Sequence, residues 1–275
     1  MFIIQHFCIN PFHSLKPFFG INTISLVLQC FCKTTTEINL NTGFYKDLDT
    51  NFELACEMSE KNFSQEELLD LLKNGNIPEK QIAALKLNDI NNKQEGELLI
   101  NNLTGCDGKI REAVALKINQ ILYKNSNSIE YFLFPEIFAD ATIDINANIC
   151  RLVIDSVKIL KNNKNFSEVY IAKLLNFINN TFIELDKFIF RDKKYVINKQ
   201  LFKLYWCLEA LKLFINDIKR EELELILNRS AQETEYTIRE KVAQILILTS
   251  DKEFTELKNT LKNDENYYVR AIFKS

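Results

Sequence analysis

One pattern constrains this chain more than any other: short blocks of residues return at a spacing of about thirty, the signature of a stacked repeat. Ala84-Leu85-Lys86-Leu87 returns as Ala115-Leu116-Lys117-Ile118, 31 residues on. Ile110-Arg111-Glu112-Ala113-Val114-Ala115 returns as Ile238-Arg239-Glu240-Lys241-Val242-Ala243, and Val269-Arg270-Ala271 follows Ile238-Arg239 by a further 31. In each copy a β-branched residue and an arginine open a helix with alanine at its middle. A polar link follows, then a second helix with paired leucines, as in Glu97-Leu98-Leu99-Ile100 and Phe254-Thr255-Glu256-Leu257. Two packed helices cannot enclose a core alone, so each hairpin must bury its apolar edge on the next.

The rest of the body reads the same way. Apolar residues recur at helical spacing in blocks at about 64–75, 78–87, 92–103, 109–123, 129–139, 145–162, 167–190, 198–218, 221–229, 236–249, 252–262 and 266–273, without a competing period of two. Ser64-Gln-Glu-Glu67 and Ser250-Asp-Lys-Glu253 read as capping boxes. Gly75 reads as a left-handed helix end, and Pro78 as a first helical residue. Six Gly and four Pro in 275 residues exclude a β-sandwich or barrel, which needs a turn every ten residues or so.

The repeated Val/Ile-Arg pair followed by an Ala-rich helix resembles short HEAT repeats of about thirty residues, the kind also found in phycobilin lyases. The resemblance is good over 76–123 and 231–275 and faint over 124–230, where Ile149-Cys150-Arg151 and Leu208-Glu209-Ala210 read as degenerate copies. It implies an all-α, armadillo-type solenoid of stacked antiparallel hairpins over 58–275, with Arg111, Arg239 and Arg270 as structural residues tying adjacent repeats. Asp107 and Glu235 stand four residues before Arg111 and Arg239, a spacing that allows ion pairs at the helix starts. The final copy, from Tyr267, reads as a first helix lacking its second.

Residues 1–57 differ from the body. They hold both histidines (His6 and His13), four of the seven cysteines, eight of the 21 Phe, and an uncharged stretch between Pro17 and Cys32. No basic n-region precedes that stretch, and its apolar run is shorter than a membrane span. The expectation is a segment that is disordered or not part of the native product, with a membrane anchor as the alternative. Cys30-x-Cys32 lacks a second pair at zinc spacing.

Inventory then limits the chemistry. A body without histidine excludes Ser-His-Asp and Cys-His catalysis and the common zinc sites. Gly105-Cys-Asp-Gly108 lacks the Lys-Ser/Thr of a phosphate loop. Glu66-Glu67, Glu95 to Glu97 and Glu221-Glu222 read as solvated faces, and the aromatic stretch from Tyr195 through Trp206 to Phe214 reads as core. No catalytic residue, metal or cofactor is expected. Beyond residue 57 the chain carries 31 basic and 32 acidic side chains, and this near-neutrality argues against a nucleic-acid partner. Lys161-Asn-Asn-Lys164 and Arg191-Asp-Lys193-Lys194 read as cations at helix ends.

The expected function is a cytoplasmic, non-catalytic scaffold that binds another protein through a groove of second helices. Glu97, Asn101, Glu256 and Asn259 are the expected contact residues, because the leucines beside them are committed to the core. A nucleic-acid-binding HEAT-like protein and a lyase-like maturation factor are the alternatives.

Overall fold

A computed structural model describes residues 44–187, 194–250 and 253–274, and among them there is helix and no strand. The chain divides into two units, Met1–Lys61 and Asn62–Ser275. In the first unit the described part is helix α1, Phe44–Glu60, which runs across the boundary expected at 57/58. Residues 1–43, with both histidines and the Cys30-x-Cys32 pair, lie outside the described residues.

The second unit contains α2 (Gln65–Asn74), α3 (Ile77–Lys86), α4 (Lys93–Ile100) and α5 (Gly108–Lys124). A 3-10 helix (Ser126–Phe132), α6 (Pro135–Thr142), α7 (Ala147–Leu160) and α8 (Lys164–Asp186) follow. The last elements are α9 (Lys194–Leu211), α10 (Arg220–Ala231), α11 (Tyr236–Leu246), α12 (Thr255–Lys262), α13 (Tyr267–Ala271) and a 3-10 turn, Ile272–Lys274.

Asparagine is the residue that most often starts these helices. Asn76, Asn92, Asn146, Asn163 and Asn266 each accept a backbone N–H of the first turn, as Asp107 does for α5. Ser64 forms the expected box with Glu67, and Asn76 forms a second with Glu79. This is how an array of helices is built with so little Gly and Pro. Pro78 stands one residue inside the helix start, where its missing donor is still not needed.

Two local expectations fail. Gly75 is not left-handed: its φ is −69°, and a Cβ there would lie 2.5 Å from the Leu71 carbonyl oxygen and 2.8 Å from Glu79 Cβ. Glycine is needed for close approach, not for a positive φ. Ser250 N–H does donate to Glu253 at 3.2 Å, but helix α12 begins later, at Thr255, after Phe254 in a left-handed conformation (φ 53°).

Packing sorts the helices into two layers. In the odd layer α3 lies on α5, α5 on α7, α9 on α11 and α11 on α13, with a lighter contact between α7 and α9. In the even layer α2 touches α4, α4 touches the first 3-10 helix, and α6 lies on α8. Between the layers each even helix packs on the odd helix after it: α2 on α3, α4 on α5, α6 on α7, α8 on α9, α10 on α11 and α12 on α13. Up to α10 the pairs are therefore phased one helix earlier than the sequence blocks suggest, whereas α12 packs on both α11 and α13. The expected orphan, α13, has a partner in α12, and its Val269 is fully buried.

Buried aliphatic residues from Leu68 to Val269 form one continuous core. Alanines 83, 84, 113, 115 and 243 lie at the helix contacts, where their small side chains allow close approach. At the centre the core turns aromatic. Phe138 meets Phe166 edge-on at 5.7 Å, Phe166 stacks on Tyr170 at 5.9 Å, and Tyr170 meets Phe214 at 5.5 Å. Thr142 Oγ1 and the Tyr170 hydroxyl share a 2.7 Å hydrogen bond. Phe132 and Phe138, on either side of Pro135, are fully buried, so that stretch is core.

Candidate interaction surfaces

Three kinds of polar residue stand out on this frame: the arginines of the repeat, a buried cation cluster, and the exposed faces of the two layers. The arginines form the joints between pairs. Arg111, on α5, donates from Nε to Asp144 Oδ2 at 2.7 Å and from Nη2 to Asp144 Oδ1 at 3.1 Å, while Nη1 meets the Cys106 carbonyl. Asp144 lies in the link between α6 and α7, so this fork joins the α4/α5 pair to the α6/α7 pair. Arg239, on α11, repeats the geometry with Asp264 at 2.7 and 3.0 Å and with the carbonyls of Glu233 and Thr234. Asp264 lies in the link between α12 and α13. Arg270 makes the backward half of the motif, to the carbonyls of Asp264 and Glu265.

These carboxylates are not the ones four residues back. Asp107 caps Lys109 N–H and Glu235 accepts from Thr237, because helix-start carboxylates are taken by their own backbone donors. The degenerate copy at Ile149-Cys150 keeps only the backward half of the motif. Ile149-Cys150 occupies the Ile-Arg position on α7, and Cys150 Sγ donates to the Asp144 carbonyl at 3.1 Å, six residues back, as Arg239 and Arg270 do to Glu233 and Asp264.

Titration follows these contacts. Burial alone would raise the Asp264 carboxyl, but hydrogen bonds from Arg239 and the Asn266 N–H outweigh it and hold the group below its ordinary 3.8. The hydrogen bond to Asp264 raises Arg239, and that to Asp144 raises Arg111. Burial pushes the Cys150 thiol up to about 12 and raises Cys207 further. Neither is an activated nucleophile, since the thiolate is the reactive form.

Between α9 and α11, Glu209 accepts from Lys241 at 2.5 Å and from Lys212 at 2.7 Å, and both lysines reach Gln244 Oε1 at 3.1 Å. Lys241 also lies 4.5 Å over the Tyr205 ring. This cluster is satisfied internally and links two odd helices. Lys117 on α5 is 92% buried without such a network, and burial, aided by nearby Lys124, lowers it from 10.5 to about 8.

The four expected contact residues are exposed. Glu97 and Asn101 stand at the end of α4, Glu256 and Asn259 on α12, with α6, α8 and α10 intervening along the even layer. The structure thus places them on one layer but in two separate groups. Other even helices expose acids as well: Glu66 on α2, Glu136 and Asp140 on α6, Glu168 on α8, and Glu221 and Glu224 on α10.

A division by charge accompanies the division by packing. The odd helices contain 14 Lys and Arg against five Asp and Glu. The even helices, with the 3-10 helix Ser126–Phe132, contain eight against 15. The near-neutrality of the body is an average over two layers of opposite sign.

No described helix is long and apolar enough to cross a membrane, and no group of three metal-ligating side chains lies together among the described residues. No protein-family model matches the chain, and no curated protein matches it. Two solved structures, each described as an engineered protein from the Northeast Structural Genomics Consortium, share 12% and 15% identity with it. Each aligns at a TM-score of 0.42 over 78% of this chain, with 94% and 96% of its own length covered.

Proposed function

We propose that Asn62–Ser275 is a HEAT-like solenoid that acts as a non-catalytic scaffold, binding another protein on the outer face of its even layer. The observation that carries this reading is the row of exposed carboxylates on successive even helices, from Glu97 through Glu136, Glu168 and Glu221 to Glu256. On these helices Leu99, Phe138, Tyr170, Leu227 and Leu261 are buried in the core. These carboxylates are left to solvent on one even helix after another, which suits a long, basic surface on a partner protein. Reduced, buried thiols at Cys150 and Cys207 fit a cytoplasmic setting.

Glu97, Asn101, Glu256 and Asn259 mark two ends of that row. Changing all four to lysine tests the reading in an affinity purification from cells. Retention of thermal stability with loss of the co-purifying protein supports the even face; retention of both stability and partner overturns it.

A further inference from the structure

We infer that the odd layer is a second, independent binding surface, and that it takes the phosphate backbone of a nucleic acid. The inference begins from which charges on that layer are already used. Of its five carboxylates, Glu79 caps Asn76 N–H and Glu112 accepts from the side chains of Asn146 and Asn148. Glu209 is held by Lys212 and Lys241, and Glu240 accepts from Gln244. The fifth, Asp155, is half-buried, and burial raises its carboxyl despite Lys158 and Arg151 nearby. The acids are thus turned inward or occupied.

The cations divide differently. Arg111, Arg239 and Lys241 belong to the joints and the buried cluster, whereas Lys124, Arg151, Lys158 and Lys199 are exposed. These four make no ion pair among the described residues; Arg151 bonds only the Asn148 side-chain oxygen. They stand on α5, α7 and α9, which are consecutive in the layer. Asn119 on α5 donates to both the Leu152 carbonyl and Ser156 Oγ on α7 at 3.3 Å, which sets these two helices side by side. Lys124 and Lys158 are thereby brought to the same end of the layer, near the α7–α9 joint where Lys161 Nζ meets the Leu213 carbonyl.

Neighbouring helices lie about 8–10 Å apart, so Lys124 and Lys158 stand on the order of 10 Å apart, with Arg151 about two turns before Lys158 and Lys199 toward the other end of α9. An extended polyanion with evenly spaced charge meets one or two of them per helix. The exposed ring beside Lys124 is Tyr123, 62% exposed, a surface on which a base can stack. A nucleic acid fits this combination of spaced cations and an exposed tyrosine better than a lipid surface, which calls for exposed aliphatic anchors. Overall net charge gives no warning of such a face, because the even layer cancels it.

The test is fluorescence anisotropy of a labelled 20-nucleotide oligothymidylate against the full chain at rising salt. The inference expects binding that weakens as salt rises, with a log–log slope of about −2 to −3 for three to four phosphate contacts on a single strand. Lys124→Glu/Arg151→Glu/Lys158→Glu should weaken it at least tenfold at low salt while circular dichroism shows a folded protein. Glu97→Lys/Glu256→Lys, on the other layer, should leave it unchanged or tighter. If the triple variant does not fold, Lys158→Ala alone should cost about two- to fivefold and make the slope shallower by about 0.7. Undiminished binding by these odd-layer variants would overturn the inference. So would binding to vesicles of anionic lipid or to polyglutamate without binding to the oligonucleotide, or self-association that the same substitutions abolish.

Discussion

The odd and even layers bury their apolar edges in one core, yet they carry charge of opposite sign and use it differently. In the odd layer buried arginines hold the stack together: Arg239 and its partner Asp264 are each more than nine-tenths buried at the side chain. In the even layer the ion pairs are exposed: Asp140 on α6 meets Lys173 on α8 at 2.8 Å, Asp186 on α8 meets Arg229 on α10, and the remaining acids face water. A charged residue in a repeat can thus be a joint or a surface, and burial with a fixed partner distinguishes the two. Net charge over the chain shows neither.

The comparison is broken most sharply at a joint. Arg239→Ala leaves the Asp264 carboxylate buried without its fork and should destabilise the protein by about 3–5 kcal/mol in urea unfolding. Cys150→Ala removes only a weak thiol donor from the equivalent position and should cost less, about 1–2 kcal/mol, mostly through lost packing. Equal effects would mean that the arginine is not the structural part of the motif.

Lys117 is the odd-layer cation with a cost. Its pKa is lowered, so the unfolded chain binds the proton more tightly and the folded state gains stability as pH rises from about 8 toward 10.5. Lys117→Met should therefore stabilise the protein by about 1–2 kcal/mol at pH 7, with the gap to wild type closing above pH 8. Asp264 has the opposite sense: its pKa is depressed, so its contribution is complete at neutral pH and is lost as the solution becomes more acidic than 3.8. An Asp264→Asn variant should be less stable than wild type at pH 7, with a difference that narrows in acid. The smallest effects belong to the exposed charges. Lys158→Ala in the odd layer and Glu97→Gln in the even layer should each change stability by less than about 0.5 kcal/mol in thermal melts.

Helix type and repetition were legible in the sequence because both are local and periodic. Ile110-Arg111 and Ile238-Arg239 announce themselves by identity and spacing alone. The phase of the pairs was not legible, because a helix is adjacent in sequence to two others and only packing chooses between them. The short link at residues 75–76, between α2 and α3, was the available signal. The arginine partners were hidden for a related reason. Asp144 lies 33 residues beyond Arg111, whereas Asp264 lies 25 beyond Arg239, so unequal helix lengths erase any common spacing. Of the surfaces, the sequence identified Glu97, Asn101, Glu256 and Asn259 as exposed, since each lies beside committed leucines. It did not reveal the segregation of charge, which emerges when Lys, Arg, Asp and Glu are assigned to alternate helices instead of to the whole chain.

The claim that the even face receives a protein is tested most directly by one affinity purification with three baits: wild type, the Glu97→Lys/Asn101→Lys/Glu256→Lys/Asn259→Lys variant, and the Lys124→Glu/Arg151→Glu/Lys158→Glu variant. With all three folded and at equal amounts, the account predicts that the same protein is captured by wild type and by the odd-layer variant, and lost from the even-layer variant. Equal capture by the even-layer variant would contradict it.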